Sequence, residues 1–99
     1  MQTYTFTAEL WMYPGEGAWY FVTLPKDIAD EIKAITAPNK RGFGSVRVSV
    51  KVGASEWQTS IFPDSTTKSY FLPVKKDVRT KNGLQDGDTV KVTLVVLEK

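Results

Sequence analysis

The chain contains no cysteine and no histidine. Those absences exclude disulfides, thiol nucleophiles, imidazole general bases and the common zinc ligand sets, which closes off much chemistry. Long apolar runs are missing as well: none approaches the roughly 18 residues of a membrane span. The opening Met1-Gln-Thr-Tyr-Thr-Phe-Thr-Ala-Glu shows no basic segment followed by an apolar one. A cytoplasmic protein with no membrane partner and no cofactor is the expectation. With 99 residues, of which 41% are hydrophobic, the chain suits one compact domain over 1–99 that buries its own core.

Net charge is small, +2 from 13 basic and 11 acidic residues, but it is unevenly placed. Residues 1–38 sum to −3, residues 39–81 to +6 and residues 82–99 to −1. Gathered on one face, Lys40, Arg41, Arg47, Lys51, Lys68, Lys75, Lys76, Arg79 and Lys81 would attract phosphate or carboxylate; spread out, they are solvated surface.

Hydrophobic periodicity supplies the elements. Tyr4, Phe6, Ala8, Leu10 and Met12 alternate with polar residues, which predicts a strand over 3–12 with one buried face. After the turn cluster Pro14-Gly-Glu-Gly17, the stretch from Ala18 to Leu24 is aromatic and β-branched enough for a hairpin partner. Pro25 stops that strand and opens a helix to about residue 36, in which Ile28, Ile32 and Ile35 recur at helical spacing. Val46, Val48, Val50 and Val52 mark an amphipathic strand, Gly53-Ala54 a glycine-first tight turn, and residues 56–62 its return strand. A short strand over 69–72, a helix over 74–82 closed by Gly83, and a last strand over 89–97 complete the chain.

Tyr20-Phe-Val-Thr-Leu-Pro-Lys-Asp-Ile28 returns fifty positions later as Tyr70-Phe-Leu-Pro-Val-Lys-Lys-Asp-Val78. A duplicated β-α unit of this kind, with these strands, indicates a mainly β domain with two short helices, most simply a small barrel. The β-α-β-β-α-β order of residues 18–97 leaves a ferredoxin-like α+β split sheet as the alternative. The two differ in the helices: both on one face of a split sheet, one at each end of a barrel.

The ordered segments Trp19-Tyr-Phe-Val-Thr-Leu-Pro25, Trp57-Gln-Thr-Ser-Ile-Phe-Pro63 and Tyr70 to Arg79 with Gly87-Asp88 resemble the DUF family numbered nineteen-hundred-and-five, a small bacterial and archaeal domain of unknown function. The resemblance runs from Phe6 to Leu94 and implies a double-split β-barrel, similar in shape to the barrels of AbrB and MazE type transcription factors. It implies no activity.

Chemistry-bearing candidates are few. Arg41-Gly-Phe-Gly-Ser-Val-Arg-Val48 fits part of an RNA-recognition signature, but Ser45 and Val48 occupy positions where rings should stack on bases. Trp57 shares a strand face with Thr59 and Ile61 and is expected in the core, whereas Trp11 falls opposite Leu10 and is expected to be exposed. Ser60, Lys75, Lys76 and Arg79 form the candidate ligand-binding set, to which Trp57 and Arg41 are also assigned, since a strand and a helix are expected to converge there and arginine holds carboxylate or phosphate bidentately. A serine nucleophile would need a lysine base in the absence of histidine. The carboxylates form no acid/base pair: Asp27, Asp30 and Glu31 fall on the outer side of the first helix, and Asp86 and Asp88 flank a turn as backbone caps. No catalytic or metal-ligating residue is assigned. The expected function is a non-enzymatic binding module for an anionic or aromatic small molecule or a protein partner, monomeric or homodimeric. A nucleic-acid-associated module is the alternative, disfavoured by a net charge too small for extensive phosphate neutralisation.

Overall fold

The computed structural model describes residues 2–15, 17, 19–36 and 44–97. Lys40 and Arg41 lie outside them. The elements run β1 (Thr3–Met12), β2 (Tyr20–Thr23), α1 (Lys26–Thr36), β3 (Val46–Val52), β4 (Ser55–Asp64), β5 (Ser69–Pro73), α2 (Lys76–Asn82) and β6 (Thr89–Val96).

All strand pairs are antiparallel, and the order β1-β2-β5-β4-β3-β6 closes on itself. Closure rests on the two ten-residue strands, which change partners midway. Residues 3–9 of β1 pair with β6 and residues 10–12 with β2. Likewise, residues 55–61 of β4 pair with β3 and residues 62–64 with β5. These are the two splits of the barrel. The split-sheet alternative is excluded by this closure.

The duplication is also a symmetry. β1-β2-α1-β3 and β4-β5-α2-β6 exchange places with every pairing preserved, and each half lends a strand to the other's sheet. Near the centre Val22 faces Leu72, and two backbone bonds repeat at the fifty-residue spacing: Leu24 N–H donates to the Tyr70 carbonyl and Val74 N–H to the Tyr20 carbonyl, each at 2.9 Å. Because β2 and β5 are antiparallel, α1 leaves the barrel at one end and α2 at the other.

The interior is filled by side chains. Leu10, Val22, Val48, Ile61, Leu72, Val92 and Leu94 are wholly buried, as are Ala29 and Ile32 from α1, with Val78 from α2 nearly so. Ile28 and Ile35 pack against this core half-buried. Strand parity fails once: Met12, expected inside, is 45% exposed because β1 ends there, past the last inward layer. Two details follow the sequence closely. Gly83 closes α2, its N–H bonded to the Thr80 carbonyl. Gly53 takes φ 56° in the β3–β4 turn, and the Asn82 side chain of α2 caps that turn by accepting from Ala54 N–H at 3.0 Å.

Candidate functional site

Next to α2, a cavity of about 350 Å³ opens to solvent. Its rings are Trp19, Tyr20 and Trp57, its cations Lys75, Lys76 and Arg79, and no carboxylate is found among the described residues that line it. Two parts of the fold meet to build it. Strand β4 turns Trp57 and Thr59 towards it, and the extended Lys75 leads into α2, which places Arg79 one turn on.

Arg79 is the most constrained of the three cations. Its guanidinium carbon lies 3.8 Å from the Tyr20 ring centroid, and Nε donates to the Val74 carbonyl at 3.2 Å. Cation–π contact and one hydrogen bond fix the plane while using one of five donors, so the fork is held in position for a bidentate anion. Lys75 and Lys76 are exposed and add charge without fixed geometry. Trp19, 60% exposed, is set by close approach to the preceding turn: a Cβ on Gly17 would stand 2.8 Å from its Nε1.

Among the described residues the two ends of the barrel differ around this cavity. Its symmetry-related counterpart would surround Tyr70, whose ring has Lys33 of α1 with Nζ 5.8 Å from the centroid. Tyr70 is buried, however, whereas Tyr20 is half-buried. Helix α1 has eleven residues and α2 has seven, so the longer helix covers its tyrosine and the shorter one leaves its own open.

Of the residues singled out from the sequence, Trp57, Lys75 and Arg79 come together here. Trp57 is also half-buried against the core, in line with the expectation for its strand face. Ser60 does not join them. It lies on the opposite face of β4 from Trp57, Thr59 and Ile61, beside Arg47 of β3. Ser60 is not among the residues that line the cavity. Arg41 is outside the described residues. Sequence reasoning missed Tyr20, whose signal was its place in the repeated Tyr-Phe motif. Among the described residues the basic middle is divided: Lys75, Lys76, Arg79 and Lys81 belong to the α2 region, while Lys68 is in the β4–β5 turn by α1, where its carbonyl accepts from Lys33 Nζ.

Trp11 also departs from expectation. It is half-buried rather than exposed, its ring 5.1 Å from Phe21 and its Nε1–H donating to Thr23 Oγ1 at 3.0 Å. The turn carboxylates act as caps: Asp86 accepts from Met12 N–H at 2.9 Å and Asp88 from Gln85 N–H at 2.8 Å. Among the described residues no cluster of acidic side chains could hold a metal ion, and no helix is long and apolar enough to cross a membrane.

The profile of a family described as a domain of unknown function (DUF1905) matches residues 6–94. The chain belongs to this family. The match takes in all three ordered segments, the barrel from Phe6 in β1 to Leu94 in β6, and every described residue lining the α2 cavity, so that cavity is built within the DUF1905 domain itself. No curated protein matches the chain.

Proposed function

We propose that this DUF1905 domain is a non-enzymatic binding module whose α2 cavity takes a small anion carrying a flat ring. One observation carries the reading: Arg79 is stacked on Tyr20 at 3.8 Å beside Lys75 and Lys76, in a cavity with aromatic walls and no carboxylate among its described lining residues. Three cations near one opening favour carboxylate or phosphate, and the held guanidinium supplies a bidentate contact. Trp19, Tyr20 and Trp57 offer the large flat surface on which a ring stacks. The volume of about 350 Å³ suits a ligand of nucleoside-monophosphate size or smaller. Duplex DNA is the rival ligand, and it needs phosphate contacts over a longer track than four basic residues around a short helix supply.

The test is thermal-shift screening with inorganic phosphate, benzoate, indole carboxylates and nucleoside monophosphates, followed by titration of any hit against Arg79→Ala. An aromatic anion that raises the melting temperature saturably and binds about tenfold or more weakly to the variant supports the reading. Equal binding to both proteins, or stabilisation by duplex DNA alone with a steep salt dependence, would overturn it.

A further inference from the structure

A second site lies around the barrel from the α2 cavity. Where Leu10, Val22 and Leu72 point inward, their strand neighbours Trp11, Phe21 and Phe71 point out, and neither helix covers them. Phe21 is the hub, with ring centroids at 5.1 Å to Trp11, 6.4 Å to Tyr13 and 4.8 Å to Phe71. The planes differ by 40°, 87° and 76°, so the rings make walls rather than one flat platform. With Trp19 and Asp64 they enclose a groove of about 430 Å³, well inside the range of small-ligand sites, roughly 300–1,000 Å³.

The chemistry of that lining is one-sided. Trp11 has already given its N–H to Thr23, so its ring presents π surface rather than a donor. Asp64 is held in place by its own turn, accepting from Thr66 N–H at 3.0 Å and Thr67 Oγ1 at 3.2 Å. Both of those partners are neutral. No basic residue lines the groove and no ion pair to Asp64 is found among the described residues. A fixed carboxylate without a cation, facing rings whose faces are electron-rich, attracts positive charge spread over an apolar body.

We infer that this groove is a binding site for a small organic cation, a quaternary or methylated ammonium group, seated among Trp11, Tyr13, Phe21 and Phe71 with Asp64 supplying the counter-charge. The inference does not depend on the anion reading of the α2 cavity. The two sites share Trp19 but no charged residue, and their electrostatics are opposite.

Choline and its uncharged isostere 3,3-dimethyl-1-butanol separate charge from shape. Each is titrated into the full chain while tryptophan fluorescence and the indole N–H resonances are followed. Choline should perturb Trp11 and Trp19 saturably and bind about tenfold more tightly than the alcohol, the ratio expected where a cation–π contact and a carboxylate act together. Asp64→Asn keeps the acceptor for Thr66 N–H, turns the second oxygen into an amide donor that the Thr67 hydroxyl can accept, and should weaken choline several-fold without changing the alcohol. Trp19→Ala removes an exposed ring, leaves the core intact and should also weaken choline. Arg79→Ala should leave choline binding unchanged. Equal affinity for choline and the alcohol would reduce the groove to a greasy surface and overturn the inference. So would the absence of any saturable change in the Trp11 and Trp19 signals, or loss of choline binding in Arg79→Ala.

Discussion

Phe21 and Phe71 meet edge to face, their ring centroids 4.8 Å apart at an interplanar angle of 76°. They hold equivalent positions in the repeated Tyr-Phe motif, so the contact lies where the two halves of the chain are related to each other. Beneath it Val22 and Leu72 are buried side by side. The halves are therefore joined at this seam by backbone pairing, by an apolar inner layer and by an aromatic outer one.

The aromatic layer should contribute to that junction. In urea unfolding of the native chain, Phe21→Leu, Phe71→Leu and the double variant, the two substitutions are expected to be coupled by about 0.5–1.5 kcal/mol, the range for favourable ring pairs. Losses that simply add would show that the rings do no more than cover the strands beneath them.

Alkaline pH should destabilise the fold through Tyr4. This ring is 9% exposed and its hydroxyl donates to Glu31 Oε2 at 3.0 Å, which ties β1 to α1. Burial first, and the neighbouring carboxylate second, push its pKa up to about 12. In the unfolded chain the value is about 10, so the folded state holds the proton more tightly. Stability from this source is whole below pH about 10 and is lost as pH rises from there towards about 12. Because Glu31 is exposed, solvent screening keeps the expected loss to about 1 kcal/mol. Burial raises Tyr70 too, with a Thr36 hydrogen bond acting the other way. Tyr4→Phe should accordingly flatten the alkaline limb of a stability–pH curve without abolishing it. An unchanged limb would place the titration elsewhere.

Asn82 should matter more than a helix-end residue normally does. Its side chain accepts from Ala54 N–H and donates to Ser55 Oγ at 3.1 Å and to the Val78 carbonyl at 2.9 Å, fastening α2 to the β3–β4 turn. Asn82→Ala is expected to cost about 1–2 kcal/mol in thermal or urea unfolding. Gly53→Ala combines the cost of φ 56° with a collision of the new methyl against the Asn82 amide, for a loss of about 1 kcal/mol or more. In the Asn82→Ala background the collision is gone and only the backbone cost remains, so Gly53→Ala should be milder there. The same penalty in both backgrounds would sink this account of the turn.

Legibility tracked locality. Strand and helix positions in the structure follow alternation, proline and glycine placement to within about two residues at most boundaries, because those signals act between near neighbours in the chain. Trp57, Lys75 and Arg79 were identifiable as a set, since a strand and a helix entrance so rich in rings and cations stand out. Ser60 was not excludable without the strand's facing. Parity says that Ser60 and Trp57 point to opposite sides, but which side meets α2 depends on how β4 is tilted and shared between β3 and β5. The aromatic groove went unrecognised for a related reason: Trp11, Phe21 and Phe71 come from three strands and become neighbours only through cross-strand register.

By itself, then, the order of residues determined the elements, the repeated unit and the exclusion of thiol and imidazole chemistry, all of which depend on residue type and short-range spacing. Only the tertiary structure decided that the barrel closes, that Tyr70 is buried while Tyr20 stays half-buried, and that Asp64 falls in one groove and Lys75, Lys76 and Arg79 in another, with Trp19 shared between them. Those outcomes follow from partner exchange along β1 and β4 and from the difference in helix length, and both take effect only when distant segments pack together.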